Sequence, residues 1–396
     1  MLSVTTRRVL VLVATAMLAA TLAACAPVPS ANPGNCGWPN KNDTAAANIA
    51  YPDTNATYFV MPYALSFGQQ LVVHGAYPSA RYFSFITYSL DANVIDHIAD
   101  TAIDPDPGSG NPFTDAAAPA DAAHRKYTVT VSGGAAPVGS QTALSGGGTP
   151  VLSVGLLMLR VYLPNDPGDL SGSGGLPSLS YRNIEGSEQA ITTCATQGVS
   201  PLIGALAAVL PPADKTPPAT PVFTRAPFAS LFPNPDNAYL AALTSYQPGR
   251  VVVVRGKAAT FPDTTNGQPV TSPTQLRYYS MCQNTYVSPY PVVQCAADTN
   301  TSLDASGYYT YVISTPSDRP ANAVTANAVT WLPWGDTTKP GFVVLRNMLP
   351  ATTFHQATQD VPAGQTPNGI MDDYAPVAHY CAVSAFAAGG PAACGF

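Results

Sequence analysis

The chain has 396 residues and a formal net charge of −6, and only 10% of its residues are charged. Seventeen Lys and Arg residues against 23 Asp and Glu residues leave no basic surface of the kind that nucleic-acid-binding proteins need, so we expect no nucleic-acid partner. Proline (40 residues), glycine (31) and tyrosine (20) are abundant, which is typical of a turn-rich, all-β, exported protein.

The N-terminus has the pattern of a lipoprotein signal peptide. Arg7 and Arg8 precede an apolar run, Val9–Leu22, and the tetrapeptide Leu-Ala-Ala-Cys ends at Cys25. Such a run is too short to cross a hydrocarbon core of about 30 Å, which needs roughly 20 apolar residues. We therefore predict that residues 1–24 are removed and that lipidated Cys25 anchors the chain to the bacterial cell membrane, outside the cytoplasm. An ordinary signal peptide cleaved nearby is the alternative.

Residues 25–50 are rich in Pro, Asn and Ala and lack periodicity, which predicts a flexible tether. Residues 51–184 then form the first predicted β domain. Its predicted elements are strands at Leu71–Val73, Arg81–Tyr88, Tyr127–Val131 and Val154–Leu163, and a short helix at Val94–Ala99.

Residues 185–231 differ in composition and predict a linker. Glu185–Gln197 and Pro201–Leu210 are candidate short helices, and the Pro-rich residues 211–221 cannot be helical. The second predicted β domain covers residues 232–350, and residues 351–396 are predicted to form a tail held by its cysteines. The predicted strands of the second domain are Val251–Val254, Leu276–Met281, Tyr308–Ser314 and Gly341–Leu349.

The two β domains are related by an internal duplication. Asn55–Ser84 recurs in looser form at Asn237–Ser280, with a glycine turn, an apolar run and an Arg-Tyr-x-Ser sequence in the same order. LLMLRVYLP at 156–164 likewise corresponds to FVVLRNMLP at 342–350. We predict two tandem antiparallel β-sandwich domains that superpose.

Six cysteines besides Cys25 predict disulfide bonds in an exported protein. Several connectivities are open, and proximity in the sequence favours Cys282 with Cys295 and Cys381 with Cys394. This leaves Cys36 to pair with Cys194. Because no Cys-x-x-Cys spacing occurs, we expect no zinc site.

The chain contains no nucleophile elbow, Walker loop, dinucleotide fingerprint or metalloprotease motif, and we expect no cofactor. His74 is better explained as a half-buried strand residue than as a base. Asp96, His97 and Asp100 could approach one another on a helical turn, but a solvated face is the simpler interpretation. Two acidic loops, Asp104 with Asp106 and Asp372 with Asp373, leave calcium as an alternative to plain turns.

Several polar residues recur in both copies. Arg81 and Arg277 open corresponding strands, Arg160 and Arg346 lie inside corresponding apolar runs, and Asn237 with Tyr239 matches Asn55 with Tyr58. An arginine in an apolar strand must find acceptors for its five donors. The arginines therefore either fasten loops to the β framework or line a cleft that binds an anion or a sugar. In the second interpretation, the candidate ligand-binding residues are Arg81, Arg277, Asn237 and Tyr239.

The second copy contains PNPDNAY (233–239), VVVV (251–254), RYYS (277–280), YYTYVISTP and FVVLR. The first contains PDTNATY (52–58), GAYPSARYFS and LLMLR. In these motifs the chain resembles the bacterial family called domain of unknown function 1254, often joined to its 1214 companion, over most of residues 51–350. Thr54 and Thr57 change the spacing in the first copy, and a cysteine-bracketed insert interrupts the second. The resemblance implies a β-sandwich and no catalytic residues.

These features predict a cell-envelope lipoprotein that binds an envelope or environmental ligand without turning it over. An extracytoplasmic hydrolase acting on a sugar or ester is one alternative, and a structural envelope component is another. Paired carboxylates in a cleft, or a serine beside a histidine, would favour the hydrolase. A broad apolar groove would favour lipid binding.

Overall fold

A computed structural model of the protein describes residues 36–45, 47–135, 142–226 and 231–396. Cys25 and the predicted signal peptide lie outside these residues. Gly37–Phe396 form one unit, which contains both β domains. Within the described ranges, none of the helices is long and apolar enough to cross a membrane.

The strands divide into two consecutive sets. The first set is β1 (Asn40–Asn42), β2 (Ala56–Ser66), β3 (Gln70–Ala76), β4 (Ala80–Tyr88), β5 (Val94–Ala99), β6 (Lys126–Ser132), β7 (Ala143–Ser145), β8 (Leu152–Pro164), β9 (Ser178–Arg182) and β10 (Glu188–Ile191). The second set is β11 (Thr224–Arg225), β12 (Asn237–Thr244), β13 (Arg250–Lys257), β14 (Leu276–Thr285), β15 (Val292–Ala297), β16 (Tyr308–Ser314), β17 (Thr330–Pro333), β18 (Gly341–Pro350) and β19 (Val377–Ala382). The α-helices are α1 (Pro201–Ala208) between the sets and α2 (Val383–Gly389) after the second.

Each set of strands forms two sheets, and the two sets have the same topology except for β10, which has no equivalent in the second. The first domain has sheet orders β1-β2-β8-β4-β5 and β10-β9-β3-β6-β7, and the second has β11-β12-β18-β14-β15 and β17-β16-β13-β19. Every strand of the second domain thus has an equivalent in the first, including the parallel pairs β6 with β7 and β16 with β17. Leu71–Val73 in β3 and Val251–Val254 in β13 occupy equivalent positions. The all-β fold of two similar domains, predicted from the duplication, is confirmed.

A repeated glycine contact shows how closely the two copies agree. Gly75 in β3 lies against the ring of Tyr127, and the equivalent Gly256 in β13 lies against the ring of Tyr309. A Cβ atom at either position would overlap the tyrosine ring. The glycine and the tyrosine are therefore kept together in both copies by packing.

Each domain has its own apolar core between its two sheets. The first core includes Phe83, Phe85, Leu157 and Leu159. The second core includes Val252, Val254, Tyr311, Trp334, Val343 and Leu345. In β8 and β18 the residues that point away from these cores are buried as well. They are covered because the outer faces of the two five-stranded sheets contact the opposite domain.

Two of the three predicted helices are wrong. Val94–Ala99 is strand β5, which pairs antiparallel with β4, and the predicted helix 185–197 contains strand β10, which pairs with β9. Both strands lie at sheet edges, where backbone pairing with the neighbouring strand outweighs intrinsic helix propensity. The third prediction, Pro201–Leu210, is confirmed as α1, with Pro201 in its first turn.

Three predicted boundaries also differ from the structure. The predicted tether 25–50 contains β1, the predicted linker 185–231 contains β11, and the predicted tail 351–396 contains β19 and α2. β1 and β11 are short edge strands, too short to show an alternating pattern. β19 completes a sheet of the second domain as β9 does in the first, so that domain extends beyond residue 350.

The disulfide bonds agree with the predictions. Cys282 is bonded to Cys295 across the neighbouring strands β14 and β15, and Cys381 is bonded to Cys394. Cys36 and Cys194 are both disulfide-bonded as well. The amide of Cys194 donates to the carbonyl of Gly37 at 2.9 Å, which agrees with the third predicted pair.

Candidate functional site

A cavity of about 370 Å³ lies between the two domains. Its wall comes from β2 and β8 of the first domain, β12 and β18 of the second, α1, and the segments before β2 and after α1. Aromatic residues dominate the lining: Tyr51, Tyr58, Tyr162, Phe232, Tyr239, Tyr286, Tyr290 and Phe342. The polar and charged lining residues are Asn42, Arg160, Asp214, Lys215 and Arg346.

The period-two alternation of β8 and β18 explains why this cavity exists. Leu157 and Leu159 face the core of the first domain, so Met158, Arg160 and Tyr162 face the opposite side of the sheet. β18 has the same arrangement, with Val343 and Leu345 in its core and the lining residues Phe342, Val344 and Arg346 between them. The duplicated apolar runs therefore bring one arginine from each copy to the same cavity.

Each arginine is paired with a tyrosine on the adjacent strand. Tyr58 lies opposite Arg160 in the register of β2 and β8, and the Arg160 guanidinium carbon is 4.9 Å from the centre of the Tyr58 ring. Tyr239 lies opposite Arg346 in β12 and β18, at 5.3 Å. Such distances allow cation–π attraction. The cavity thus contains two equivalent Arg–Tyr pairs.

Arg346 is neutralised by a carboxylate. Its Nη1 donates to Asp53 Oδ2 and, at 2.8 Å, to Ser280 Oγ. Asp53 also accepts hydrogen bonds from Tyr278 Oη and Ser280 Oγ, each at 2.8 Å, and is fully buried. This ion pair joins the segment before β2 to the second domain.

Arg160 has only neutral partners. Its Nη2 donates to Tyr88 Oη and to the Phe232 carbonyl, both at 2.7 Å. None of the ion pairs between described residues includes Arg160. The undescribed residues contain no Asp or Glu. The Arg160 side chain, 6% exposed, therefore has a positive charge with no carboxylate of the described residues within ion-pair distance.

Several buried polar atoms of the lining lack a hydrogen-bond partner among the described residues. They are Arg160 Nε, Arg346 Nε, and both Nδ2 and Oδ1 of Asn42. Buried polar groups in native proteins are nearly always paired. Three of these four atoms are donors, so these lining residues have more donors than the acceptors of the described residues satisfy.

The tyrosines of the lining are neutral at physiological pH. Burial raises the pKa of Tyr162 and of Tyr58, and burial raises the pKa of Tyr88, behind Arg160, to about 12 although Arg160 opposes the shift. Protonated phenols can donate hydrogen bonds as well as accept them. They add donors and apolar surface to the cavity but no negative charge.

The cavity is covered by two segments that are held by backbone contacts. The amides of Ala50 and Tyr51 donate to the carbonyls of Pro289 and Tyr290, at 2.9 and 3.0 Å. Tyr290 Oη donates to the carbonyl of Pro211, which follows α1. The predicted tether and linker thus supply part of the wall.

Arg81 and Arg277 do not line the cavity. Arg81 Nη1 is 2.7 Å from Asp298 Oδ2 of the second domain, and Arg277 Nη1 is 2.9 Å from Asp100 Oδ2 of the first. Each guanidinium also donates to the backbone carbonyl of the other arginine, at 3.3 and 3.4 Å. These two arginines fasten one domain to the other, which is the framework interpretation of the repeated arginines.

The other two candidate residues lie in or beside the cavity. Tyr239 belongs to the lining. Asn237 lies beside it, where its Nδ2 donates to the lining residue Tyr162 at 3.4 Å and its Oδ1 has no partner among the described residues. The sequence signal that selected Tyr239, its recurrence in the duplication, also marked Tyr58, Arg160 and Arg346. No sequence signal marked Asn42, because it lies in a segment without periodicity.

Asp96, His97 and Asp100 do not converge. Asp96 accepts the amide of Ser145 at 2.8 Å, Asp100 pairs with Arg277, and His97 Nε2 lies 3.6 Å from Asp236 of the other domain. The nearby carboxylate of Asp236 raises the pKa of His97.

Other potential ligand groups are engaged in the framework. His74 lies between Thr128 and Glu188, at 3.2 and 3.0 Å. Among described residues, Asp53, Cys282 and Cys295 are close enough to hold a metal, but the two cysteines form a disulfide and offer no thiolate.

Comparisons with known proteins bear on the fold alone. No protein-family profile and no curated protein matches the chain. The crystal structure of an uncharacterised protein from Burkholderia cenocepacia is similar, with a TM-score of 0.50 and 13% identity over 89% of this chain and 84% of that one. A Vibrio parahaemolyticus protein has a TM-score of 0.36 and 10% identity over 79% of this chain and 88% of that one. The first likeness supports the two-domain β fold. The resemblance to domain of unknown function 1254 stays a prediction.

Proposed function

We propose that this protein is a cell-envelope binding protein whose ligand is a small amphipathic molecule held in the interdomain cavity. The observation that carries this proposal is a cavity with aromatic and aliphatic walls and a few polar lining residues that have buried atoms without a partner among the described residues. Its volume of about 370 Å³ falls in the usual range for small-molecule sites, roughly 300–1,000 Å³.

The chemistry of the lining favours binding over hydrolysis. Asp214 is the carboxylate that the described lining residues present to the cavity, whereas most glycosidases use two. The remaining polar lining residues are arginine, lysine, asparagine and tyrosine, which suit recognition.

A fluorescent probe tests occupancy of the cavity. We expect N-phenyl-1-naphthylamine, a neutral dye that fluoresces in apolar sites, to bind the purified mature chain at one molecule per chain. Ala241→Trp places a large ring on the lining and should weaken dye binding at least tenfold. Ala116→Trp, on an exposed loop far along the chain from the lining strands, is the matched control and should bind like the wild type.

Absence of dye binding by the wild type, or equal binding by Ala241→Trp and the control, would refute the cavity as the site. Circular dichroism must show that Ala241→Trp is folded.

We also propose that a lipid on Cys25 places this cavity at the membrane surface, as the signal-peptide pattern predicts. Cys25→Ser should abolish radiolabelled palmitate incorporation and release the protein from membranes without unfolding it. Cys394→Ser removes a disulfide cysteine and should keep the label. Membrane retention of Cys25→Ser equal to that of the wild type would contradict the anchor.

A further inference from the structure

The two Arg–Tyr pairs of the cavity are equivalent in position but not in charge. Arg346 is paired with Asp53, and Arg160 has only the neutral oxygens of Tyr88 and Phe232. At the lining, Asp214 and Lys215 add one negative and one positive charge. The cavity therefore has one positive charge in excess, and that charge belongs to Arg160.

A buried guanidinium without a counter-ion is unfavourable, because burial removes its hydration and hydrogen bonds to two neutral oxygens replace only part of it. Arg160 is always protonated, so it cannot relieve this by losing a proton. Its Nε also lacks a partner among the described residues. Nearby, the Nε of Arg346 and the amide of Asn42 have the same need for an acceptor.

We infer that the ligand of the cavity is a monoanion with an apolar body, and that its anionic head binds Arg160. A carboxylate or a phosphate diester, each with one negative charge, offers the acceptors that the guanidinium fork recognises. Met158, Ile203 and Phe232 pack around the same side of the cavity and supply the surface for the apolar body. This inference rests on the proposed function and adds the class of ligand.

Four probes with a ten-carbon chain test the inference in competition with the dye. We expect decanoate to displace the dye at a concentration at least tenfold lower than decanol, and decyltrimethylammonium to be weaker than decanol. Decyl methyl phosphate, a singly charged phosphate diester, distinguishes the head group, and binding of both anions no tighter than decanol would contradict the inference. A tenfold preference corresponds to about 1.4 kcal/mol.

Arg160→Met keeps the length of the side chain and removes the charge. We expect it to weaken decanoate binding at least tenfold more than it weakens decanol binding, so that the preference for the anion is lost. Arg160→Lys, which keeps a charge, should retain part of the preference. Arg319→Met is the matched control, because Arg319 also lies over an aromatic ring, Trp331 at 4.6 Å, and is not part of the lining. It should change neither affinity.

Equal binding of decanoate and decanol by the wild type would overturn the inference, as would an undiminished preference in Arg160→Met. The wild-type comparison stands even if a variant fails to fold. If neither the dye nor any probe binds the wild type, the proposed function itself fails. If the dye and decanol bind without a preference for anions, only the choice of ligand class fails.

Discussion

At the scale of single residues, the duplication has diverged at Asp53, whose equivalent in the second domain is the neutral Asn234. Asp53 and Asp236, which are not equivalent positions, each accept a hydrogen bond from the tyrosine of the other domain's Arg-Tyr-x-Ser sequence, Tyr278 at 2.8 Å and Tyr82 at 2.6 Å. Asp53 also neutralises Arg346, whereas Asp236 lies 3.6 Å from His97. The replacement of a carboxylate by an amide at the Asp53 position leaves the cavity asymmetric in charge.

We predict that Asp53→Asn destabilises the protein much more than Asp236→Asn. Asp53→Asn leaves Arg346, 3% exposed, without its carboxylate, and breaking a buried pair in this way costs about 3–5 kcal/mol. Asp236→Asn can keep a neutral hydrogen bond with Tyr82, so its loss should be about 1 kcal/mol. Urea unfolding of both variants measures the difference in free energy. Equal losses would show that the Asp53–Arg346 pair does not stabilise the fold as described.

At the scale of elements, the sequence predicted the buried strands well and the edges poorly. Val251–Val254 is apolar throughout because β13 is covered on both faces, and such a run is visible without any structure. β1, β5 and β10 lie at sheet edges, each paired with the strand next to it in the chain, and none of them shows a strict alternation of apolar and polar residues. Without that alternation, the local sequence does not reveal the pairing.

The sequence likewise predicted some residues of the candidate site and not others. The duplication selected both pairs of arginines, since each pair recurs at equivalent strand positions. It could not separate Arg81 and Arg277, which join the domains, from Arg160 and Arg346, which line the cavity. That distinction depends on how the two copies face each other, and contacts between copies leave no periodicity in either one.

At the scale of the whole molecule, the two domains are joined by reciprocal contacts. Two ion pairs cross the junction between the domains, Arg81 with Asp298 and Arg277 with Asp100. Tyr82, Tyr162 and Tyr278 pack together in one interdomain cluster. Each domain therefore buries charged groups that only the other domain neutralises. A domain that unfolded alone would leave those charges without partners in the remaining one.

We predict that both domains unfold in a single transition. Trp38 lies in the core of the first domain and Trp334 in the core of the second, so variants that keep one or the other report on each domain separately. The two reporters should give the same urea midpoint, and Arg81→Met should lower both midpoints together because it leaves Asp298 buried without its cation.

Arg182→Met is the matched control, since its ion pair with Glu188 is within the first domain and partly exposed, where such pairs contribute about 0–1 kcal/mol. Two separate midpoints in the wild type, or an Arg81→Met shift confined to the first domain, would show that the junction does not couple the domains.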